Sequence, residues 1–429
     1  MRADAVPSDA VMPTLAGVCA RCPSTTVSVS GAVPWCPSCE WNLDLYEPDR
    51  RRPEFGWRWI DRRTHRLATR LTRGQFTRLL AGGPDRSGGG FARVATVAAS
   101  VVLLAFVAFL AAFGVWLVVH DFPTLTIPFG LAAIGLAFML RPRFGRLDPS
   151  AVVLDRDRAP ALFRLVDEVA AAVDAPAPAV LAVNDGFSAY ATSIGIRRRR
   201  ALCLGLPLWA TLPPQERVAL LGHELGHFVN GDVRRGLLTQ PAFTMLGEAA
   251  DLVRPVSSSM VENNGPATLL AEVLQRMLSR LLFGAHVVLL WLGQRDAQRA
   301  EYLADQLSAR AGGSAAAASL QDALVVFDSV EMVVRRDMRA GHGPAQWRRS
   351  ADEARLSASE RLAALRQLSV RDEPSLFASH PPSGLRARMI RERPAHSPAV
   401  TLTEGRAEEV DRELAKHYER VARDVSWGG

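Results

Sequence analysis

Apolar and polar positions change their period several times along the 429 residues. Val94 to Val119 carries no charged side chain. As a helix it would be about 39 Å long, more than the roughly 30 Å of a bilayer core. His120-Asp121-Phe122-Pro123 predicts a short turn, and Thr124 to Leu140 is a second apolar run with Pro128 in its first turn. Arg141, Arg143 and Arg146 follow, an arginine-rich stretch precedes, and the turn has neither Arg nor Lys. The positive-inside rule then predicts a transmembrane helical hairpin at 94–140 with both flanks cytoplasmic.

Beyond Leu147 the pattern becomes globular. Ala159 to Val173 predicts a helix. Ala179 to Val183, Phe187 to Ile196 and Ala201 to Leu206 predict strands, with Asn184-Asp185-Gly186 as a turn. Arg197 to Arg200 reads as a solvated strand end. Gln215 to Asn230 predicts a helix, with Thr211 as cap, prolines at its start, Glu216 in its first turn and Gly231 at its stop. A stripe formed by Leu269, Leu270, Val273, Leu274, Met277, Leu278, Leu281 and Leu282 predicts a further helix. Leu281 to Gly293 is apolar but too short to span alone, which leaves a surface-embedded or buried helix against further membrane passes. The tail predicts helices over 315–335, 357–368 and 404–425, and there is no internal repeat.

Composition changes this picture in two places. Hydrophobic residues make up 48% and charged residues 22%, which suits a globular body with a membrane anchor. The formal charge of +7 is carried mostly by arginine. Arg58, Arg62, Arg63, Arg66, Arg70, Arg73 and Arg78 alternate with Trp57, Trp59, Leu67, Leu71, Phe76 and Leu79. We read 48–93 as an amphipathic or loosely ordered juxtamembrane linker near anionic lipid, ending in the flexible Ser87-Gly88-Gly89-Gly90, in preference to a nucleic-acid-binding stretch. Residues 1–18 lack the pattern of a signal peptide.

Four of the five cysteines form two C-x-x-C units, Cys19 with Cys22 and Cys36 with Cys39. Four thiolates at this spacing can close a tetrahedral structural zinc site, so 1–47 reads as a ribbon-like domain. So small a unit has too little core to fold without such a staple. A redox pair is the competing reading. Cys203 falls in an apolar strand and reads as packed.

The chemistry centres on His223-Glu224-Leu225-Gly226-His227. Two histidines four apart lie about 40° apart on a helix and can reach one metal ion from one face. Glu224 projects beside that ion, placed to handle a proton. The competing reading is a buried structural helix with two satisfied histidines. Glu301 and Asp305 share a helix face, so Glu301 can be a third ligand while Asp305 fixes a histidine tautomer. A surface helix with ordinary acids, beside Arg295, Asp296 and Arg299, is the competing reading, and the charged local run does not decide between them. His380 stands before two prolines, which restrict its backbone, and His342 reads as a loop residue.

Together, His223-Glu224-Leu225-Gly226-His227, Glu301-Tyr302-Leu303-Ala304-Asp305, Ser379-His380-Pro381 with Arg386, and Phe187-Ser188-Ala189-Tyr190-Ala191 resemble the membrane-associated zinc metalloendopeptidases of the HtpX and CAAX prenyl protease group. The resemblance covers about residues 90–393. It implies an α+β, mainly helical zincin-type domain with a small sheet over 147–393, beside the N-terminal zinc ribbon, the two transmembrane helices and a C-terminal helix over 394–429. It implies catalytic zinc on His223, His227 and Glu301, Glu224 as catalytic acid and base, Asp305 as the ligand's partner, and His380 with Arg386 near the transition state. Ser188, Ala189, Tyr190 and Ala191 would grip substrate, although Ser188 and Tyr190 replace the family's usual Asn and Phe.

The expected function is a cell-membrane, multi-pass zinc endopeptidase acting on protein or peptide substrates, in membrane protein quality control, with ribbon and catalytic domain cytoplasmic. It would hold two zinc ions, one catalytic and one structural. The rival is an inert membrane-tethered zinc scaffold or sensor that binds a partner through the ribbon. An intact Glu224 argues against that rival, since an inert domain has no need of a proton carrier. Nucleic-acid binding through the ribbon and the arginine segment is a third, weaker reading.

Overall fold

The computed structural model describes residues 17–51, 53–54, 56–82, 91–120, 126–141, 145–195, 197–231, 245, 249 and 266–427. The glycine-rich stretch at 87–90, most of the turn at 120–123 and Arg143 lie outside the described residues.

The chain begins with the ribbon, which has two isolated bridges, Val18 with Thr25 and Val27 with Trp35. It continues into α1 (Arg58–Gly82), α2 (Phe91–Val119) and α3 (Thr126–Met139). A short β1 (Val152–Val153) and α4 (Pro160–Ala172) precede β2 (Val180–Asn184), β3 (Ala189–Ile194) and β4 (Arg199–Gly205). After β4 come α5 (Leu206–Thr211), α6 (Pro214–Asn230) and the long α7 (Pro266–Gly312). The remainder is helical: α8 (Ser314–Val325), α9 (Phe327–Arg339), α10 (Pro344–Ala358), α11 (Leu362–Asp372), α12 (Ser383–Glu392), α13 (Glu404–Glu413) and α14 (Ala415–Trp427). The fold is thus mainly helical with one small mixed sheet.

The sheet order is β1-β2-β4-β3, with β2 and β4 parallel and β3 antiparallel to β4. β3 is therefore an edge strand. Every residue of β2 is buried, as befits a strand covered on both faces. The main core joins the sheet to α4, α5 and α6 through Leu162, Val166, Leu181, Leu202, Trp209 and Leu221.

Several expectations change in detail. Thr211 does not cap α6: it ends α5, its hydroxyl donates to the Leu208 carbonyl, and Pro213 holds the cap position. The helix expected over 315–335 breaks at Val326. The helix expected over 404–425 breaks at Leu414, which is fully buried. The break lets α13 cover α4 while α14 covers α5 and α9.

The arginine-rich linker forms an amphipathic helix over Arg58–Gly82 whose C-terminal apolar residues meet protein, while Trp57, Trp59 and Leu67 stay exposed. Phe76 and Leu79 pack with Tyr302, Val370, Leu385 and Met389. Arg73 bonds Glu40 and Asp44 of the ribbon. The ribbon itself docks on α11. Arg371 is 1% exposed, donates to the carbonyls of Val33 and Asn42, and lies over the Trp35 ring.

By length and composition, α2 over Val94–Val119 and α7 over Glu272–Gly312 are the two candidate membrane spans among the described residues. α3, expected as the second span, has 14 residues, about 21 Å of helix, short of the bilayer core. It packs tightly on α2 because Gly114 and Gly130 have no side chains: a Cβ on Gly114 would sit 2.8 Å from the Gly130 carbonyl oxygen. α7 is about 70 Å long at the usual rise. Its first half exposes Leu270, Val273, Leu274, Met277 and Leu281. Its second half packs against α6 in the globular body.

Candidate metal centre and active site

α6 starts at a proline, a residue that loses nothing where the first amides have no helical partner. It ends at Gly231, whose φ of 69° suits glycine. Between them almost every residue is buried. What sets the site is how closely α7 approaches. A Cβ on Gly222 would lie 2.7 Å from the Ala311 Cβ, and one on Gly226 would lie 3.1 Å from the Ala304 Cα. Ser308 of α7 donates to the Ala219 carbonyl at 2.7 Å. Small residues on both helices thus bring Glu301 onto the histidine face of α6.

There His223 Nε2 lies 3.3 Å from His227 Nε2 and 3.5 Å from Glu301 Oε2. His227 Nε2 lies 3.7 Å from Glu301 Oε1. The two rings are perpendicular, with centroids 4.9 Å apart. A tetrahedral zinc with nitrogen and oxygen ligands at roughly 2.0–2.1 Å has ligand–ligand edges of about 3.3–3.4 Å. The donors therefore sit at the corners of a face that such an ion fits. Glu301 Oε2 is also buried without a hydrogen bond, an arrangement a cation would satisfy.

Around the donors is a second ring of charge. Asp305 Oδ1 is 3.1 Å from His223 Nδ1, the ring atom turned away from the donor cluster. Arg386 of α12, 5% exposed, donates to both Asp305 oxygens at 2.7 and 2.8 Å and lies 3.2 Å from Glu301. Gln321 of α8 donates to Asp305 at 3.1 Å. Without a metal, burial opposes charging of His223, but the hydrogen bonds its ring donates to Asp305 and Glu301 outweigh it and pull its pKa up to about 10. A metal at the same donors would displace that proton.

Glu224 is 6% exposed. Burial raises its pKa above the usual carboxylate value, against the opposing pull of His223, His227 and the backbone amide of Ala191 in β3. The edge strand therefore runs directly past this carboxylate. Of the strand residues singled out, Ala189, Tyr190 and Ala191 lie in β3 and Ser188 just ahead of it.

His380 lies at the open side, its side chain 64% exposed, with Nδ1 2.9 Å from Glu301 Oε1. Arg386 does not share that position. It lies beneath the two carboxylates, hydrogen-bonded to Asp305 and ion-paired with Glu301, so its guanidinium faces the ligand set instead of the cleft. Gln321 went unnoticed in the sequence, where nothing distinguishes it from an ordinary helix amide.

The four cysteines form a second cluster. Cys19 and Cys39 sulfurs are 3.6 Å apart, Cys22 and Cys36 sulfurs 3.4 Å, and all four lie within 4.8 Å of one another. Zinc–sulfur bonds of roughly 2.3 Å imply edges of about 3.8 Å, so this group also fits a tetrahedral ion. Cys203 stands apart, fully buried in β4.

The family described as "Peptidase family M48" matches residues 156–394, more than half of the chain. A curated "Protease HtpX homolog" of Desulfotalea psychrophila (strain LSv54 / DSM 12343) is 29% identical over 181 residues, 40% of this chain. The chain spans 62% of the length of that relative. No solved structure matches.

Proposed function

Because the chain belongs to peptidase family M48 and is HtpX-like, we propose that it is a membrane-anchored zinc endopeptidase cutting protein or peptide substrates at the cytoplasmic face, in membrane protein quality control. The observation that carries this reading is the convergence of His223, His227 and Glu301 at tetrahedral spacing, with the buried Glu224 beside them. Zinc held by these three would supply, when bound, Lewis-acid activation of water and of the scissile carbonyl.

The remaining roles belong to the chain. Glu224 removes a proton from the attacking water and returns it to the leaving amine, a task suited to a carboxyl whose pKa burial has raised. Asp305 holds the His223 ring in one tautomer. Arg386 keeps Asp305 and Glu301 ionised and in place. His380, exposed at the open side, donates to the oxygen on which charge develops. Among the described residues β3 pairs with a strand on one side only, and its other edge holds an extended peptide by backbone pairing across Ser188 to Ala191.

The proposed division of the chain is a ribbon at 1–47 with structural zinc on Cys19, Cys22, Cys36 and Cys39, a docked linker at 48–93, a hairpin at 94–140, the peptidase at 147–393 and the C-terminal helices at 394–429. α2 and the first half of α7 support anchoring in the membrane, since both expose apolar side chains.

The test is Glu224→Gln in the purified full-length protein, assayed on casein with and without chelator. The substitution should keep zinc and fold but cut the rate by about 10²–10⁴-fold. Wild-type cleavage by this variant, or chelator-insensitive cleavage, would contradict the mechanism and favour the inert scaffold.

A further inference from the structure

Arg197 to Arg200 close the hairpin between β3 and β4, and all four are exposed. Arg198 adopts φ 51°, a left-handed conformation that glycine or asparagine takes with less strain. Among the described residues, no carboxylate forms an ion pair with any of the four. Arg199 and Arg200 donate only to the carbonyls of Ala179 and Ala177. Exposed Arg141 and Arg146 likewise form no ion pair among the described residues, and Arg141 stacks on Phe138.

The position of this tip follows from one contact. The Gly195 amide donates to the Gly145 carbonyl at 3.2 Å. Gly145 must be glycine there, since a Cβ would strike the Ser193 carbonyl. The chain from Arg141, at the end of α3, to Gly145 spans at most about 14 Å. The arginine tip is therefore held close to where the apolar hairpin leaves the globular body. From Ile194 at the tip to Ala191, whose amide meets Glu224, β3 advances only about 10 Å.

We propose that this hairpin tip, with Arg141 and Arg146, binds the phosphates of anionic phospholipid headgroups and so holds the edge strand and the cleft at a fixed height on the bilayer surface. The inference rests on the membrane anchoring proposed above. Six exposed guanidiniums with no ion pair among the described residues, beside a membrane-entering helix, suit a negatively charged leaflet, and guanidinium matches phosphate with paired hydrogen bonds. Substrates near the membrane surface would thus meet the strand already oriented.

The experiment uses the wild-type full-length protein in vesicles of phosphatidylcholine alone or with about a third phosphatidylglycerol, treated with trypsin. Cuts after Arg197 to Arg200 are followed by mass spectrometry relative to the cut after Arg339, an exposed arginine at the end of α9. In anionic vesicles the tip should be cut at least about tenfold more slowly, and 1 M salt should restore the rate by shrinking the Debye length to about 3 Å. Equal rates in both vesicles, with the protein floating with the lipid, would overturn the headgroup contact and leave anchoring intact. Protection by polyuridylate in detergent without protection by anionic vesicles would reassign the tip to nucleic acid. Failure to float with either vesicle would remove the anchoring reading and this inference with it.

Discussion

Four thiols converge in the ribbon from residues 19–39 alone, whereas two imidazoles and a carboxylate converge from α6 and α7 only because those helices touch. The ribbon cluster is partly open, with Cys39 exposed, and is bordered by backbone turns. The histidine cluster is buried and ringed by Asp305, Arg386 and Gln321. A site made by one short segment needs a metal to hold its fold. A site made between helices is held by packing, and that leaves its metal free to serve chemistry.

Removing charge from the buried ring should have the largest effect on this contrast. Arg386→Met would leave Asp305 and Glu301 buried without their guanidinium, a loss of about 3–5 kcal/mol for a broken buried pair. We expect a marked fall in the melting temperature of the peptidase body and loss of its metal, with the ribbon's metal retained. Unchanged melting and full metal content would show that the ring does not hold the site.

Gly222→Leu tests the packing next. A bulky side chain would meet Ala311 and the Leu307 carbonyl, pushing α7 away from α6 and Glu301 out of reach. Overpacking of this kind costs about 1–3 kcal/mol, so the protein should still fold while its activity falls far more than its stability. A variant as active as wild type would mean that helix spacing does not position Glu301.

The smallest effect concerns the ribbon's own junction. His65 of α1 is buried beside Tyr46 and Arg51, and burial with the Arg51 charge lowers its pKa from 6.5 to about 4. The unfolded chain then binds more protons than the folded one between about pH 4 and 6.5. Stability from the neutral ring is present above pH 6.5 and is lost as pH falls through that window. His65→Gln should flatten this slope in thermal unfolding while leaving proteolysis at pH 7 unchanged; an unaltered slope would place the pH sensitivity elsewhere.

How much of this was legible beforehand differs between the two regions in the same way. The cysteine spacing and the histidine pair are local patterns, and both could be read directly. Glu301's spacing to Asp305 left an ordinary surface helix open, and the family resemblance supplied its role; Gly222 and Gly226 were not used, although small residues four apart mark close helix contact. Arg386 was noticed as a cation near the chemistry, while its direction depends on α12 packing against α7 and α8, which no local pattern encodes. The arginine linker was legible only in part for a related reason: its apolar stripe was visible, but not that α11 and α12 would cover Phe76 and Leu79 while Trp57, Trp59 and Leu67 stayed exposed.

The most direct measurement is the zinc content of the purified full-length protein beside Glu301→Ala and Cys36→Ser. Two ions per chain should fall to one in each variant, with peptide cleavage abolished in Glu301→Ala. Glu301→Ala retaining two ions and wild-type cleavage would contradict the account.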